Sequence, residues 1–469
     1  MADERFEDHL RHPRGQGDVP PGAHCGVAGG AICGDLVRIA VTVDADCVSS
    51  VTFAASGCGA TTAAASAVVE LAQGKPLLDA ARIGTHQVSA ELGGLSAGKL
   101  HAAELAADAL ARGLGGAAAA EAQVELVPGR VLVAMSGGVD SAVAAHLCAE
   151  QNGELPVAVT LELWRDEEND AEGSCCSASA VQRARALAHD LGLPHLTLDL
   201  RDAFRAGVVE PWVAGHAAGQ TPNPCVRCNG SVRLDAMLDL ADRLGCESLA
   251  TGHYARVGDD GLLRAAVDPA KDQSYMLAAL APESVARMRF PLGEMTKPEV
   301  RELAAAAALS VAQTPDSQDL CFLAGTASDS FLAKHGGIEP RPGAIVTAEG
   351  VTVGSHSGAH RFTVGQRRGL EIGGVEEPLY VMATDAETNT VTVGTRSELH
   401  RSEVALTDVK LYRPAEVVDQ ARLRSHAPAL ECRLNGDVLE LKKTAWAPAP
   451  GQTAVLLSGD RVVGCATIA

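Results

Sequence analysis

The rhythm of hydrophobic and polar positions changes several times along the chain. Between Leu36 and Gly57, in "LVRIAVTVDADCVSSVTFAASG", apolar and polar residues alternate. A period of two sends one set of side chains to one face of a strand. The stretch therefore predicts a small antiparallel sheet with helices packed on one face. Around residues 113–127, "GLGGAAAAEAQVELV" loses its periodicity and reads as a linker entered by the end of a helix. "RVLVAMSGG" then starts a strand that runs into a glycine turn. From there to about Leu323, apolar runs ("LPVAVTLEL", "LPHLTLDL", "CESLATGHY") alternate with helical stretches ("SAVAAHLCAE", "AVQRARALAHDLGL", "VRLDAMLDLADRLG"). This alternation predicts a parallel sheet with helices on both faces. Beyond about Ala324 the helical pattern fades into short β-like runs between Gly and Pro turns, which predicts a small β-rich domain and then a barrel. The expected divisions are an α+β unit at 1–115, a linker at 116–128, an α/β domain at 129–324, a small central domain at 325–400 and a C-terminal β-barrel at 401–469.

Composition narrows the class. A chain of 469 residues has room for about two to four domains. The net charge of −20 argues against a general polyanion binder, and leaves room only for a local basic surface. The charged start "MADERFEDHLRHPRG" has no apolar core and does not read as a signal peptide. No run reaches the roughly 18 apolar residues of a membrane span. The 13 cysteines are an odd number without secretory features, which favours thiol chemistry or metal binding over disulfide stapling. The expected location is the cytoplasm.

The clearest chemical signal is the turn Ser136-Gly-Gly-Val-Asp-Ser141, directly after an apolar strand and before a helix. Paired glycines let the backbone approach a phosphate, and the turn aims N–H groups and a helix N-terminus at that anion. Ser136 and Ser141 add hydroxyls, and Asp140 is placed to hold the turn or to reach Mg2+. No Gly-Lys-Ser/Thr follows, so this is not a Walker loop. The turn resembles the SGGxDS signature of the PP-loop ATP pyrophosphatases. That resemblance implies ATP cleavage between the α and β phosphates and adenylation of a substrate oxygen.

A second signal is "TPNPCVRCN", Thr221–Asn229, with Cys225 and Cys228 three positions apart after two prolines. With "TGHYAR", "KDQSYML", "FPLGEMTKPEVR", "DSQDLCFL" and "FTVGQRRGLEIGG", it resembles the MnmA family of tRNA-specific 2-thiouridylases, in order from about Arg130 to the C-terminus. The resemblance implies that Ala134, Met135, Ser136, Gly137, Gly138, Val139, Asp140 and Ser141 hold ATP, with Leu161 lining the base site and Gly252 near the nucleotide. It implies that Asn223, Pro224 and Cys225 meet the target uracil, that Cys228 is the nucleophile and that Cys321 carries the persulfide. His253, Lys271, Asp272, Gln273, Arg424 and Gln452 are implied tRNA contacts. The chemistry is coherent: uracil O2 is a poor leaving group, adenylation makes it a good one, and a thiolate sulfur attacks C2. A target base in an anticodon loop can be splayed into a pocket, unlike a base in duplex RNA.

The sequence departs from the best-studied members of that family at Cys225, where they carry aspartate. Cys225, Cys228 and Cys321 make three thiols, enough to hold a 4Fe–4S cluster with one open iron. Persulfide chemistry, cluster chemistry and a zinc knuckle therefore stay open. The vicinal pair Cys175-Cys176 reads as exposed loop thiols, and Cys148, Cys246, Cys432 and Cys465 read as buried.

Residues 1–115 carry "HCGVAGGAICGD", "SGCGATTAAASAVVELAQGK" and "KLHAAELAADAL". These resemble IscU/NifU iron–sulfur scaffolds, in which three cysteines and an aspartate hold a nascent cluster. Cys33, Asp35 and Cys58 match the first positions, but Ala102 stands where the third cysteine is expected. Cys25 is the candidate substitute, with His101 as a further ligand; Cys47 lies at the predicted hairpin turn and reads as incidental. The implied partners are tRNA and a cysteine desulfurase or sulfur-relay protein, with no membrane. The seven basic candidates for RNA contact are Arg227, Arg233, Arg256, Lys271, Arg367, Arg368 and Arg424. Two rival readings remain. One is another PP-loop ligase, which would not need the paired cysteines. The other is an iron–sulfur assembly scaffold, which would not need an intact SGGVDS turn.

Overall fold

The computed structural model describes residues 4–29, 34–151, 153–165, 177–316, 320–323, 325–373 and 377–469. Cys33, Cys175 and Cys176 lie outside the described residues. The predicted hairpin is present as strands Leu36–Asp44 and Cys47–Ser56, and His24–Gly29 pairs antiparallel with the first of them. Val37, Ile39, Val41, Val51 and Phe53 are all nearly fully buried, the inward-facing set of that alternation. They pack beneath helices Gly59–Ala72 and Leu100–Glu121.

The helix Leu100–Glu121 occupies 22 residues and continues through the first part of the expected linker. Ala117 and Ala118 are fully buried, so the alanine run is packing surface and not tether. The helix lies between two sheets. On one side, a Cβ on Gly26 would sit 1.9 Å from the carbonyl oxygen of Ala109; on the other, a Cβ on Gly115 would sit 2.0 Å from that of Thr197. Small residues are what allow both backbones to come so close. The apolar core of the N-terminal unit accordingly continues without a break into that beneath the next sheet, from Phe53 and Leu110 to Leu196 and Phe204. Polar contacts reinforce the join. Asp108 pairs with buried Arg185, Arg112 pairs with Glu162, and the His195 N–H donates to Ala81 O at 2.9 Å.

The second sheet is fully parallel, ordered Met288–Arg289, Ser248–Ala250, Arg130–Ala134, Leu155–Glu162, His195–Asp199. The chain builds outward from Arg130–Ala134 in one direction and then returns to its other side with Ser248–Ala250. Where strand order reverses in this way, a crevice opens beyond the carboxyl ends of the strands.

Beyond it, helix Ser328–Gly336 buries Phe331 and Leu332 against Trp212 and Phe322, an element that the fading helical pattern did not predict. A four-stranded sheet follows, with Gly343–Thr347 and Thr390–Gly394 parallel at its centre. The last six strands, from His400–Leu411 to Arg461–Ile468, close on themselves because those two pair with each other. The short strands Arg256–Val257 and Leu263–Arg264 of the α/β domain extend the barrel sheet. Cys148, Cys246, Cys432 and Cys465 are buried as expected, and burial pushes the first two thiols up to about 12 and Cys432 up to about 11. No helix among the described residues is long and apolar enough to cross a membrane.

Candidate active site and scaffold site

The glycine turn sits in the crevice. Strand Arg130–Ala134 delivers Met135 and Ser136, and helix Val139–Glu150 starts immediately after Gly138. The Ser141 hydroxyl closes the turn on itself: it accepts from the Ser136 N–H at 3.1 Å and donates to Gly138 O at 3.1 Å. Gly137 has φ +75° and lies so near Ala180 that a Cβ would meet its carbonyl oxygen at 2.6 Å. The neighbouring strand Ser248–Ala250 brings Thr251-Gly252-His253 to the same place. A Cβ on Gly252 would meet the Ser141 nitrogen at 2.7 Å, so that glycine shapes the floor of the turn. Leu161 is buried near the end of the adjacent strand. The nucleotide residues taken from the family pattern thus converge on the ends of three neighbouring strands. A glycine turn that leads straight into a helix N-terminus fits a phosphate chain.

Asp140 faces inward from this turn. It accepts from Lys297 Nζ at 2.7 and 2.9 Å and from the Tyr254 hydroxyl at 2.9 Å. Lys297 also reaches Asp316 at 2.9 Å, and Asp316 is further paired with Lys271 and Arg301, each at 2.7 Å. Burial raises the Asp316 pKa, but the hydrogen bonds from Lys271 and Lys297 outweigh it and hold the carboxyl down to about 2. Burial pushes the Tyr254 hydroxyl well above the ordinary tyrosine range, and Asp140 adds to this.

The cysteine segment is built by capping. Asn223 Oδ1 accepts from the N–H groups of Cys225 at 3.1 Å and Val226 at 3.3 Å, and Pro224 occupies the first helical position. An Asn cap followed by Pro is a strong helix start. Cys225 is half-buried and Cys228 buried, one turn apart on the helix Pro224–Cys228. A π-helical turn, Asn229–Arg233, follows, with Asn229 donating to Met276 O at 3.1 Å. The loop before the cap is clamped from outside. Thr221 N donates to Pro450 O at 2.9 Å, Gln452 Nε2 donates to Thr221 O at 2.5 Å, and Thr384 Oγ1 donates to Gly219 O at 2.9 Å. The barrel and the central domain thus set the position of "TPNPC". Cys321 is half-buried. Its neighbour Phe322 packs on Phe204 and Trp212, and the segment just after Phe204 touches the cysteine helix, where Arg227 Nε donates to Gly207 O at 2.6 Å. A groove of about 670 Å³ opens between this loop and the barrel, lined by Asn223, Pro224, Arg227, Lys410, Thr453 and Thr467.

Several residues expected to face tRNA are engaged internally. Asp272 is 8% exposed; its carboxylate accepts from Ala266 N, Ser274 N, the Ser274 hydroxyl and Arg422, so it pins the α/β domain to the barrel. Gln273 Oε1 accepts from Tyr254 N at 3.0 Å. His253 lies between Thr251 at 2.8 Å and Arg233 at 3.1 Å; burial, with the Arg233 charge, pushes its pKa down to about 3, so the ring is neutral. Arg424 lies over Trp446 and donates to Ala447 O at 2.5 Å. Arg256 is paired with Glu294 and Asp460, whereas Arg367 and Arg368 stand exposed on the central domain.

In the N-terminal unit, Asp35, Cys58 and His101 come together, with their ligand atoms all within 4.8 Å of one another. His101 Nε2 lies 3.1 Å from Asp35 Oδ2, which also accepts from the Thr61 hydroxyl at 2.8 Å. The Thr61 hydrogen bond, with those from His101 and the Cys58 N–H, holds Asp35 below the usual carboxylate range. Ala102 is fully buried in the helix, and His101 beside it is the side chain that meets Asp35 and Cys58. Cys25 does not substitute. It pairs with Ala40, five residues along the strand from Asp35, about 17 Å away at 3.4 Å per residue. Among the described residues, Cys225 is in no group whose ligand atoms gather this closely.

Comparison with known proteins agrees with this layout. Residues 2–122 match the family described as "NifU-like N terminal domain", 129–325 the "tRNA methyl transferase HUP domain", and 329–395 the "tRNA methyl transferase PRC-barrel domain". The "Bifunctional protein NifU/MnmA" of Rubrobacter xylanophilus is 40% identical over 487 residues, covering 99% of this chain and 98% of that one. The chain belongs to the bifunctional NifU/MnmA family. A "tRNA-specific 2-thiouridylase MnmA" of Corynebacterium glutamicum (strain R) is 41% identical to this NifU/MnmA chain over 362 residues, covering 72% of it and 98% of the relative. The solved "U34-tRNA thiolase NcsA from Methanococcus maripaludis with its [4Fe-4S] cluster" is 20% identical, covers 45% of this NifU/MnmA chain and 68% of its own, and has a TM-score of 0.28.

Sequence reasoning gave no role to Lys297, Tyr254 or Asp316. All three stand inside quoted motifs, "FPLGEMTKPEVR", "TGHYAR" and "DSQDLCFL", and for Lys297 and Asp316 charge was the available signal.

Proposed function

We propose that this chain is an ATP-dependent tRNA 2-thiouridylase whose fused NifU-like unit serves sulfur or metal delivery. The observation that carries the reading is the full-length match to a NifU/MnmA protein together with an intact SGGVDS turn at the strand-order reversal. ATP, taken as its magnesium complex, lies with its phosphates on residues 136–141. Uracil O2 attacks the α-phosphorus, pyrophosphate leaves, and C2 becomes electrophilic. The outer sulfur of a Cys321 persulfide bonds to C2, and the C2–O2 bond breaks as AMP departs with the oxygen. The Cys228 thiolate attacks the inner sulfur, which forms a Cys228–Cys321 disulfide and leaves the outer sulfur and its electron pair on the base. An external dithiol then reduces the disulfide. A cysteine desulfurase or sulfur-relay protein recharges Cys321. The groove beside Asn223 and Pro224 suits an unstacked single-stranded loop better than a duplex. The internally bonded His253, Asp272, Gln273, Arg424 and Gln452 act in this reading by fixing the walls of the tRNA surface.

One observation favours a second reading. Cys225 lies a single helical turn from Cys228. If Cys225, Cys228 and Cys321 held a 4Fe–4S cluster, its open iron would present hydrosulfide to the base. The deciding assay is tRNA-dependent AMP release and 2-thiouridine formation with anaerobically purified protein. Cys228→Ala and Cys321→Ala are expected to lower thiolation by at least about a thousandfold, as loss of a nucleophile does, while Cys225→Ala retains it. Loss of both iron and activity in Cys225→Ala would establish the cluster reading instead.

The donor set Asp35, Cys58 and His101 is one oxygen, one sulfur and one nitrogen, which suits zinc at least as well as an iron–sulfur cluster. A bound metal would supply Lewis acidity and thiolate activation at Cys58. His101→Ala is expected to weaken zinc binding about tenfold or more, read by competition with a chromogenic chelator.

A further inference from the structure

We propose that Arg233 is a positioning residue for the sulfur-transfer step: its hydrogen bond to His253 fixes the cysteine helix Pro224–Cys228 against the strand end that floors the nucleotide turn. This rests on the reading of the chain as a thiouridylase with Cys228 as the attacking thiol. On the nucleotide side, Thr251-Gly252-His253 lies directly against the turn, since a Cβ on Gly252 would sit 2.7 Å from the Ser141 nitrogen. The His253 ring is oriented by its neighbours. A guanidinium only donates, so Arg233 makes Nε2 the acceptor at 3.1 Å and leaves the proton on Nδ1, which donates to Thr251 Oγ1 at 2.8 Å. Phe290 meets the ring edge to face, with centroids 6.4 Å apart and planes at 88°. The imidazole thus spans from Thr251 to Arg233 as a rigid strut.

On the cysteine side, the helix carrying Cys228 has five residues, too few to hold its own direction. It does not run straight into helix Leu234–Arg243, whose Leu234, Met237, Leu240 and Ala241 are buried in the core. The π turn Asn229–Arg233 intervenes. Such turns are rare insertions that concentrate at functional sites. The extra residue re-aims one helical segment against the other, so side-chain ties at the turn decide where Cys228 stands. Asn229 ties its start to Met276 O, and Arg233 ties its end to His253. Among the described residues no carboxylate pairs with Arg233, although Arg256, Arg289 and Arg301 of the same domain each have one. The bond to His253 is the contact that its position serves. The uracil end of the cysteine segment is clamped separately, by Pro450 and Gln452 on Thr221. Loss of the Arg233 bond therefore releases the Cys228 end and leaves Asn223 and Pro224 in place. Adenylation needs the base and the nucleotide alone. Sulfur release also needs Cys228 at the persulfide, and a misplacement of about 1 Å there costs about a hundredfold.

The test separates the two steps in the full-length protein. The protein is charged with sulfur by a cysteine desulfurase and cysteine, then mixed in excess with Mg-ATP and an unmodified tRNA transcript that carries a wobble uridine. Pyrophosphate release reads adenylation, and 2-thiouridine in the digested tRNA reads sulfur transfer. Arg233→Ala is expected to slow 2-thiouridine formation about a hundredfold and to leave the pyrophosphate rate within about threefold of wild type. His253→Ala should show the same split. The double variant should be no slower than either single one, because both substitutions remove one contact. Effects that multiply in the double variant would overturn the proposal. So would thiolation undiminished in Arg233→Ala, or a loss shared equally by the two steps. A fall of about 1 in the slope of log tRNA affinity against log salt in Arg233→Ala would make Arg233 a phosphate contact and overturn its positioning role. Should Arg233→Ala misfold, Arg233→Met takes its place, since it keeps an unbranched stem and removes the donors. Absence of tRNA-dependent pyrophosphate release from wild type would overturn the thiouridylase reading itself, and the proposal with it.

Discussion

At the residue scale, single side chains in this protein serve more than one task. Asn223 is both a helix cap and the residue that presents the two cysteines. Asn223→Ala is expected to cost about 1 kcal/mol of stability, measured by urea titration, and to lower thiolation further than that loss alone explains. Asp316 gives a signature in pH. Its folded pKa, about 2, is depressed from 3.8, so its stabilisation is complete above about pH 4 and is lost as pH falls toward 2. The wild-type melting temperature should therefore fall more steeply than that of Asp316→Asn between pH 4 and 2; parallel curves would exclude this role. The site residues inside contiguous motifs were legible because local sequence sets local geometry: Ser136 to Ser141 need only a strand, two glycines and a helix. The partners of Asp140 and Asp316 were not legible, because each ion pair joins residues brought together by separate strands and helices.

At the element scale, the helix Leu100–Glu121 decides how the NifU-like unit is joined to the α/β domain. Its Ala and Gly content removed the amphipathic signal that would have marked it as buried on both sides. Two adjacent glycines make the point testable. A Cβ on Gly115 would meet Thr197 O at 2.0 Å, whereas one on Gly116 would find only His24 at 3.4 Å. Gly115→Ala is expected to destabilise by about 3 kcal/mol through overpacking. Gly116→Ala should stabilise by about 0.5–1 kcal/mol through helix propensity. Chemical denaturation of both variants checks this, and equal effects would mean that the helix does not lie against the sheet. The helix Ser328–Gly336 was missed for a related reason: only two of its side chains, Phe331 and Leu332, are buried, too few to set a period.

At the scale of the whole molecule, the NifU-like unit is a docked part of one body. Its core runs into that of the α/β domain, and His101, which meets Asp35 and Cys58, lies at the start of the helix whose later turns form the join. From His101 to Gly115 is 14 residues along that helix, about 21 Å at 1.5 Å per residue. A net charge of −20 leaves tRNA binding to local cations, and Arg367 and Arg368 are exposed on the central domain. Each Arg→Ala change there should reduce the slope of log affinity against log salt by about 1. An unchanged slope would place the RNA elsewhere.

The order of domains, the glycine turn and the family were legible in the amino-acid sequence, because each is written in neighbouring residues whose local conformations are set by sterics and hydrogen bonding. Tertiary packing alone shows that His101 and not Cys25 lies beside Asp35 and Cys58, that the first part of the expected linker is the end of a shared core helix, and that Lys297 bridges Asp140 to Asp316. Those facts depend on strand register and on side chains that meet across separate elements, where distance along the chain carries no information about distance in space.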